Sequence, residues 1–303
     1  MPYFERRGFK VEPRSEQSER LDIEKAYKRA SKALDADRID PEALEGCDEQ
    51  TVARDMQYVR DRQAQFKLET RPEALEDEKV ATMFEAIIHE QVDLSDWLGP
   101  NAETITASYF DDIANGVDTI VRFQSEEEAD THMGLAIDVT FSTDIRDKLN
   151  RILNDIEQGK LAEVKYFGSP KPESPDEYVY SGGLKVPRVV IGIEKRTVEK
   201  LAGLWLDKKK KELGDHMVQR VIAKEILDQL ELFEKYARSR NNRNHIAESY
   251  ANTRRTLEQS LNEREDGGFE TENIGSLKND RVFGVIEQYL GDAAAAMKAR
   301  YAR

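Results

Sequence analysis

The chain has 303 residues, 39% hydrophobic and 35% charged, with a formal net charge of −14. That length supports a sizeable core in two or three structural units, and the charge share points to long solvated helices around it. So acidic a balance excludes a generic nucleic-acid coat, since phosphate contacts need local positive charge, and the single cysteine, Cys47, excludes an internal disulfide or a cysteine-based zinc site.

Residues 1–14 read as extended, with Pro2 and Pro13. Between 15 and 70, two apolar stripes at helical spacing predict surface helices: Leu21, Ile23, Ala26, Tyr27 and Ala30, then Val52, Met56, Val59 and Phe66. Pro41 and Gly46 separate them, so residues 1–76 are expected to form a helical N-terminal extension that caps the protein or meets a protein partner. A helix over about 77–93 follows Pro72, with Val80, Met83, Phe84, Ile87 and Ile88 on its buried face, and Gly99-Pro100 breaks it.

The period then changes. Val117 to Phe123 and Leu135 to Phe141 are apolar strands joined by the acidic turn 126–130, which predicts a hairpin. Asp144 to Glu157 places Ile145, Leu149, Ile152, Leu153 and Ile156 on one helical face, with Ser142 or Thr143 as N-cap and Gly159 as the stop. Residues 161–167 are a further strand, 168–183 a Pro/Gly/Ser-rich loop, and the β-branched run 186–193 a buried central strand. Residues 77–196 therefore predict an α/β core: a mixed central sheet flanked by helices. From Thr197 to the end the pattern is helical again, with a Gly-rich acidic linker at 265–280, so 197–303 is expected to be a C-terminal helical region.

Within the core, Glu85 on the helix and Asp118 and Asp138 on neighbouring strands can converge on one hard cation. Magnesium takes oxygen ligands and keeps several waters, leaving room for a phosphate oxygen and an attacking water. Asp138 interrupts an apolar strand, where an unpaired acid is expensive. Glu90 competes with Glu85 for the helix position, and Asp111 and Asp112 read as surface acids or as outer partners of the site.

Met83-Phe-Glu85, Gly116-Val-Asp118 and Ile137-Asp-Val-Thr140, in that order, resemble the PD-(D/E)XK nuclease superfamily over roughly residues 77–195. The resemblance implies a restriction-endonuclease-like core, a Mg2+ or Mn2+ ion held by Glu85, Asp118 and Asp138, and hydrolysis of phosphodiester bonds in DNA. One position departs from it: Thr140 stands where the family has its lysine. Lys148, on the helix after the motif strand, and Lys165, in Glu163-Val-Lys165, are the candidates to replace it.

Lys208 to Lys211 reads as a solvated face, and the zone holding Arg238, Arg240 and Arg243 as the candidate contact to nucleic-acid phosphates. His89, His132, His216 and His245 lack ligand spacing, and no phosphate-cradling glycine loop or nucleophile elbow occurs. The start MPYFERRGFK lacks the apolar run of a secretory signal, and no stretch has bilayer-spanning length, so a soluble cytoplasmic protein without a membrane partner is expected. Two functions compete: a Mg2+-dependent endonuclease, and a catalytically inactive nuclease-like fold serving as a nucleic-acid- or protein-binding assembly module.

Overall fold

The computed structural model describes residues 16–69, 71–124, 131–137, 144–171, 174–264 and 274–301. Three helices come first: α1 (Glu16–Asp37), α2 (Glu49–Glu69) and α3 (Pro72–Ser95). β1 (Ala102–Thr106), a π-helical turn (Asp111–Asn115), β2 (Thr119–Phe123), β3 (Thr131–Ile137) and α4 (Asp144–Gln158) follow. Five short strands come next, β4 (Ala162–Val164), β5 (Gly168–Lys171), β6 (Ser174–Tyr180), β7 (Leu184–Val186) and β8 (Arg188–Ile191). The described part closes with α5 (Lys195–Leu206), α6 (Lys210–Gly214), α7 (Val218–Arg238), α8 (Asn244–Asn262) and α9 (Arg281–Tyr301).

The protein is a mixed α/β structure. β1, β2 and β3 form an antiparallel meander, and β8 joins β3 in parallel, giving the sheet order β1-β2-β3-β8. Parallel neighbours need a long crossover, and the chain from β3 to β8 supplies one that includes α4. All four residues of β8 are buried, as its β-branched run predicts, but the strand lies at the edge of the described sheet rather than at its centre, buried there by α7.

Both edges of this sheet are closed by side chains or loops. On β1, the Thr104 amide donates to Asp93 Oδ1 of α3 at 3.0 Å, and the Ile39 amide donates to the Thr106 carbonyl at 3.0 Å. On β8, Gln229 of α7 accepts from the Val190 amide at 2.8 Å and donates to the Val190 carbonyl at 2.6 Å. Unpaired edges are what sheet proteins otherwise protect against association.

The main core cluster draws on helices from both halves of the described chain. Ala26, Ala30 and Leu34 of α1 lie in the same buried cluster as Phe84 and Ile87 of α3, Val121 of β2, Leu201 of α5, Ile226 of α7 and Tyr250 of α8. Ala26 and Ala30 of the expected α1 stripe let that helix seat directly on α3 and α5. α2 does stand out: Phe66 is 44% and Leu68 88% exposed. Trp97 and Trp205 are both buried, their indole N–H groups donating to the Gly214 carbonyl and to Glu90.

Other differences are local. β1 falls in a stretch with no strand expected, and the loop expected at 168–183 is the β5–β6 hairpin. β3 begins at Thr131 rather than 135, and its expected continuation to 141 lies outside the described residues, as do the N-cap candidates Ser142 and Thr143. Pro187, with no amide to donate, separates β7 from β8 within the expected 186–193 strand. Of the expected linker, 265–273 is outside the described residues and Gly275–Asn279 is a 3-10 turn.

Replacing Gln229 by Leu keeps the volume and orphans both backbone groups of Val190 in the core. We expect a loss on the order of 2–4 kcal/mol in urea denaturation. A loss under about 0.5 kcal/mol would show that the β8 edge does not depend on this amide.

Candidate active site

α3 presents Glu85, His89 and Asp93 on one stripe, at i, i+4 and i+8, above the threonines of β1. Asp93 takes the Thr104 amide, and His89 Nε2 lies 3.2 Å from Asp37 Oδ2 at the end of α1. Burial works against a charged His89, but the Asp37 contact and the nearby acids Asp93 and Glu85 outweigh it, so its pKa is raised. Arg38 follows Asp37; its guanidinium donates to the Ala107 carbonyl at 2.8 Å and lies over the Tyr109 ring at 4.1 Å.

The second contributor is the π-helical turn. Asp111, wholly buried, accepts from Ser108 Oγ, Asn115 Nδ2 and the amides of Lys165 and Tyr166, at 2.7, 2.7, 2.6 and 3.1 Å. The two amide bonds tie the turn to the end of β4, and the Ser108 and Asn115 bonds close the turn on itself. The turn closes at Gly116, whose φ of +65° is a conformation that side chains resist. Arg188 braces that corner, donating to the Asn115 carbonyl at 2.8 Å and to Asp155 Oδ2 of α4 at 2.8 Å. Asp118 then leads into β2.

Glu85, Asp112 and Asp118 thus arrive from a helix, a turn and a strand, close enough to perturb one another. Each keeps a little residue exposure, yet the carboxyl groups are desolvated. Burial, then the Asp112 charge, lift the Glu85 pKa to about 7 against the pull of Arg38 and His89. Asp118 is pushed well above the usual carboxylate range by burial and by Asp112 and Glu85, and Lys148 offsets only part of this. Asp112 is raised by burial, while Arg38, a hydrogen bond from Asp118 and Lys148 pull it back. The physical picture is a proton held on Asp118 and shared with Asp112, two like charges being too costly in a dry site. One oxygen of the cluster, Glu85 Oε1, is buried without a hydrogen-bond partner among the described residues; so are Thr106 Oγ1 and Thr119 Oγ1, on paired residues of β1 and β2.

Of the expected site residues, Glu85 and Lys148 lie near enough to Asp118 for their charges to act on it. Asp138 and Thr140 lie outside the described residues; β3 ends at Ile137, two residues past Leu135, which pairs with Thr119 beside Asp118. Lys165 turns away to Asp55 of α2, and its ammonium lies 4.9 Å from the Phe110 ring centroid. Glu90 binds Arg29 and Trp205, a structural role that removes it as the rival of Glu85. Arg238 pairs with Glu234, Arg240 with Glu157, and Arg243 donates to the Glu157 carbonyl at 2.8 Å, so all three have partners within the chain. The reading of Asp111 and Asp112 as surface acids is corrected: Asp111 is fully buried and Asp112 belongs to the cluster.

The donors suit a hard divalent cation: all are oxygens, one is orphaned, and their mutual repulsion is what a cation relieves. As the side chains stand, no three His, Cys, Asp or Glu groups among the described residues form a ready metal cage. Comparison with family models, with curated proteins and with solved structures gives no match. No helix among the described residues is long and apolar enough to cross a membrane.

The sign of the Glu85 shift sets a stability test. A carboxyl raised from 4.5 to about 7 favours the folded state at acid pH, and that contribution is lost as pH rises through 7. Glu85→Gln removes the titration, so we expect it to gain on the order of 2–3 kcal/mol over the wild type at pH 8 relative to pH 4.5. An equal difference at both pH values, in urea denaturation, would contradict the assignment.

Proposed function

We propose that this chain is a divalent-cation-dependent phosphodiesterase acting on DNA, built on a restriction-endonuclease-like core. The observation that carries the reading is the desolvated cluster of Glu85, Asp112 and Asp118, all three raised by burial, with like charge adding to the rise of Glu85 and Asp118, and with the Lys148 charge acting on Asp112 and Asp118. The meander β1-β2-β3 with β8 added in parallel, and α3 packed on β1, supports it, because the implied core has a helix, three strands, a helix and a further strand in that order.

In this reading Glu85, Asp118 and, from the sequence, Asp138 hold Mg2+ or Mn2+, with Asp112 as the neighbour that shares the Asp118 proton. The cation, when bound, polarises the phosphoryl group and acidifies the attacking water. Lys148 neutralises the charge that develops on the phosphate, the part Thr140 cannot take. Arg38 and His89 keep Glu85 partly charged, so that its oxygen is available for a ligand at neutral pH.

The competing reading, an inactive binding module, is favoured by one observation: Lys165 is withheld by Asp55, leaving a single lysine at the cluster. Supercoiled plasmid with Mg2+ or Mn2+ separates the two. We expect cleavage by the wild type, its loss in Asp118→Asn and Asp138→Asn, and a fall of about 10²–10³ in rate for Lys148→Ala. No cleavage of duplex DNA, single strands or RNA with either metal would sink the enzyme reading and leave the module.

A further inference from the structure

Two guanidinium groups converge beside the acid cluster. A Cβ placed on Gly116 would lie 3.4 Å from Nη1 of Arg188 and 3.4 Å from Nη1 of Arg151, so the two nitrogens are at most twice that distance apart. Arg188 is fully engaged, with Asp155 and the Asn115 carbonyl. Arg151 is not. Its natural partner on α4, four residues on, is Asp155, and Asp155 is turned to Arg188. Among the described residues no carboxylate pairs with Arg151, which is exposed and whose charge depresses the pKa of the buried Arg188. One turn earlier on the same helix is Lys148, also exposed, whose charge reaches Asp112 and Asp118.

We infer that Arg151 and Lys148 form an anion seat for a phosphate group on the rim of the carboxylate cluster. An unpaired guanidinium held against a second one is unfavourable until an anion joins it. The planar fork of arginine suits two oxygens of a phosphate, with the lysine as a point charge beside it. In a chain of net charge −14 this is a local exception, and it lies two residues from Asp118, where a phosphodiester would have to approach. The inference rests on the phosphodiesterase reading only for the source of the phosphate, a nucleic-acid backbone rather than the free ion. It assigns the contact to α4 instead of the partnered arginines of the α7–α8 turn.

The test uses the full chain in EDTA, so that no cleavage is needed. A fluorescein-labelled duplex of about 20 base pairs is titrated by anisotropy at several salt concentrations. Inorganic phosphate is followed separately by 31P line width. We expect Arg151→Ala to weaken duplex binding roughly tenfold and to lower the slope of log Kd against log salt by about 0.9, the share of one phosphate contact. Arg151→Lys should keep the slope, and both variants should melt as the wild type does. Phosphate broadening that depends on Arg151, without duplex binding, would support the seat while removing DNA as its source. Unchanged duplex affinity and phosphate line width in Arg151→Ala, or no binding of either probe by the wild type, would overturn the inference.

Discussion

Three carboxyl groups forced together out of water dominate this structure. Glu85, Asp112 and Asp118 come from three separate elements; burial raises all three, Asp112 further raises Glu85 and Asp118, and Glu85 further raises Asp118. Nothing in local propensity favours that meeting, so it has to be held by the surrounding fold. α3 delivers Glu85 because the same helix buries Met83, Phe84, Ile87 and Ile88 on its apolar face. The π-helical turn delivers Asp112 because Asp111 is locked by four hydrogen bonds beneath it. Arg188 of β8 then clamps the corner before Asp118 to α4, the helix that carries Lys148.

The remaining helices serve that placement. α1 sets Asp37 and Arg38 against the rim of the cluster, and Arg38 supplies one of the positive charges that restrain Glu85 and Asp112. α7 closes the far edge of the sheet through Gln229, while Glu225, one turn earlier, is buried and accepts the Gly192 amide at 3.1 Å. Burial pushes the Glu225 carboxyl well above the usual carboxylate range, and the charges of Asp280, Asp228 and Glu287 add to that push.

Much of this was legible in the sequence, and the failures have causes. The 3.6-residue stripes of 80–88 and 145–156 name α3 and α4 because each buries one face against the sheet. Glu85 stood out at the edge of such a stripe, and Asp118 at a Gly-preceded strand start. Asp112 did not, because its placement depends on a π-helical turn, whose wider pitch leaves no periodic trace. β1 was hidden because its buried positions include Thr104 and Thr106, polar residues that are buried only by virtue of contacts to α3 and the loop after α1. The hairpin over 168–180 carries prolines and acids that read as a loop, and the register irregularity at Pro170/Lys171 breaks the alternation that would mark its strands. Arg38 and His89 lie far apart in sequence and act through the fold alone.

The account turns on whether this cluster releases its protons to a divalent cation. Calorimetric titration with Mn2+ in buffers of different ionisation enthalpy, between pH 6 and 8, measures metal affinity and proton release together. The account predicts one site whose affinity rises with pH through about 7, with protons released on binding and both lost in Asp118→Asn. Metal binding that is independent of pH and unchanged in Asp118→Asn would contradict it.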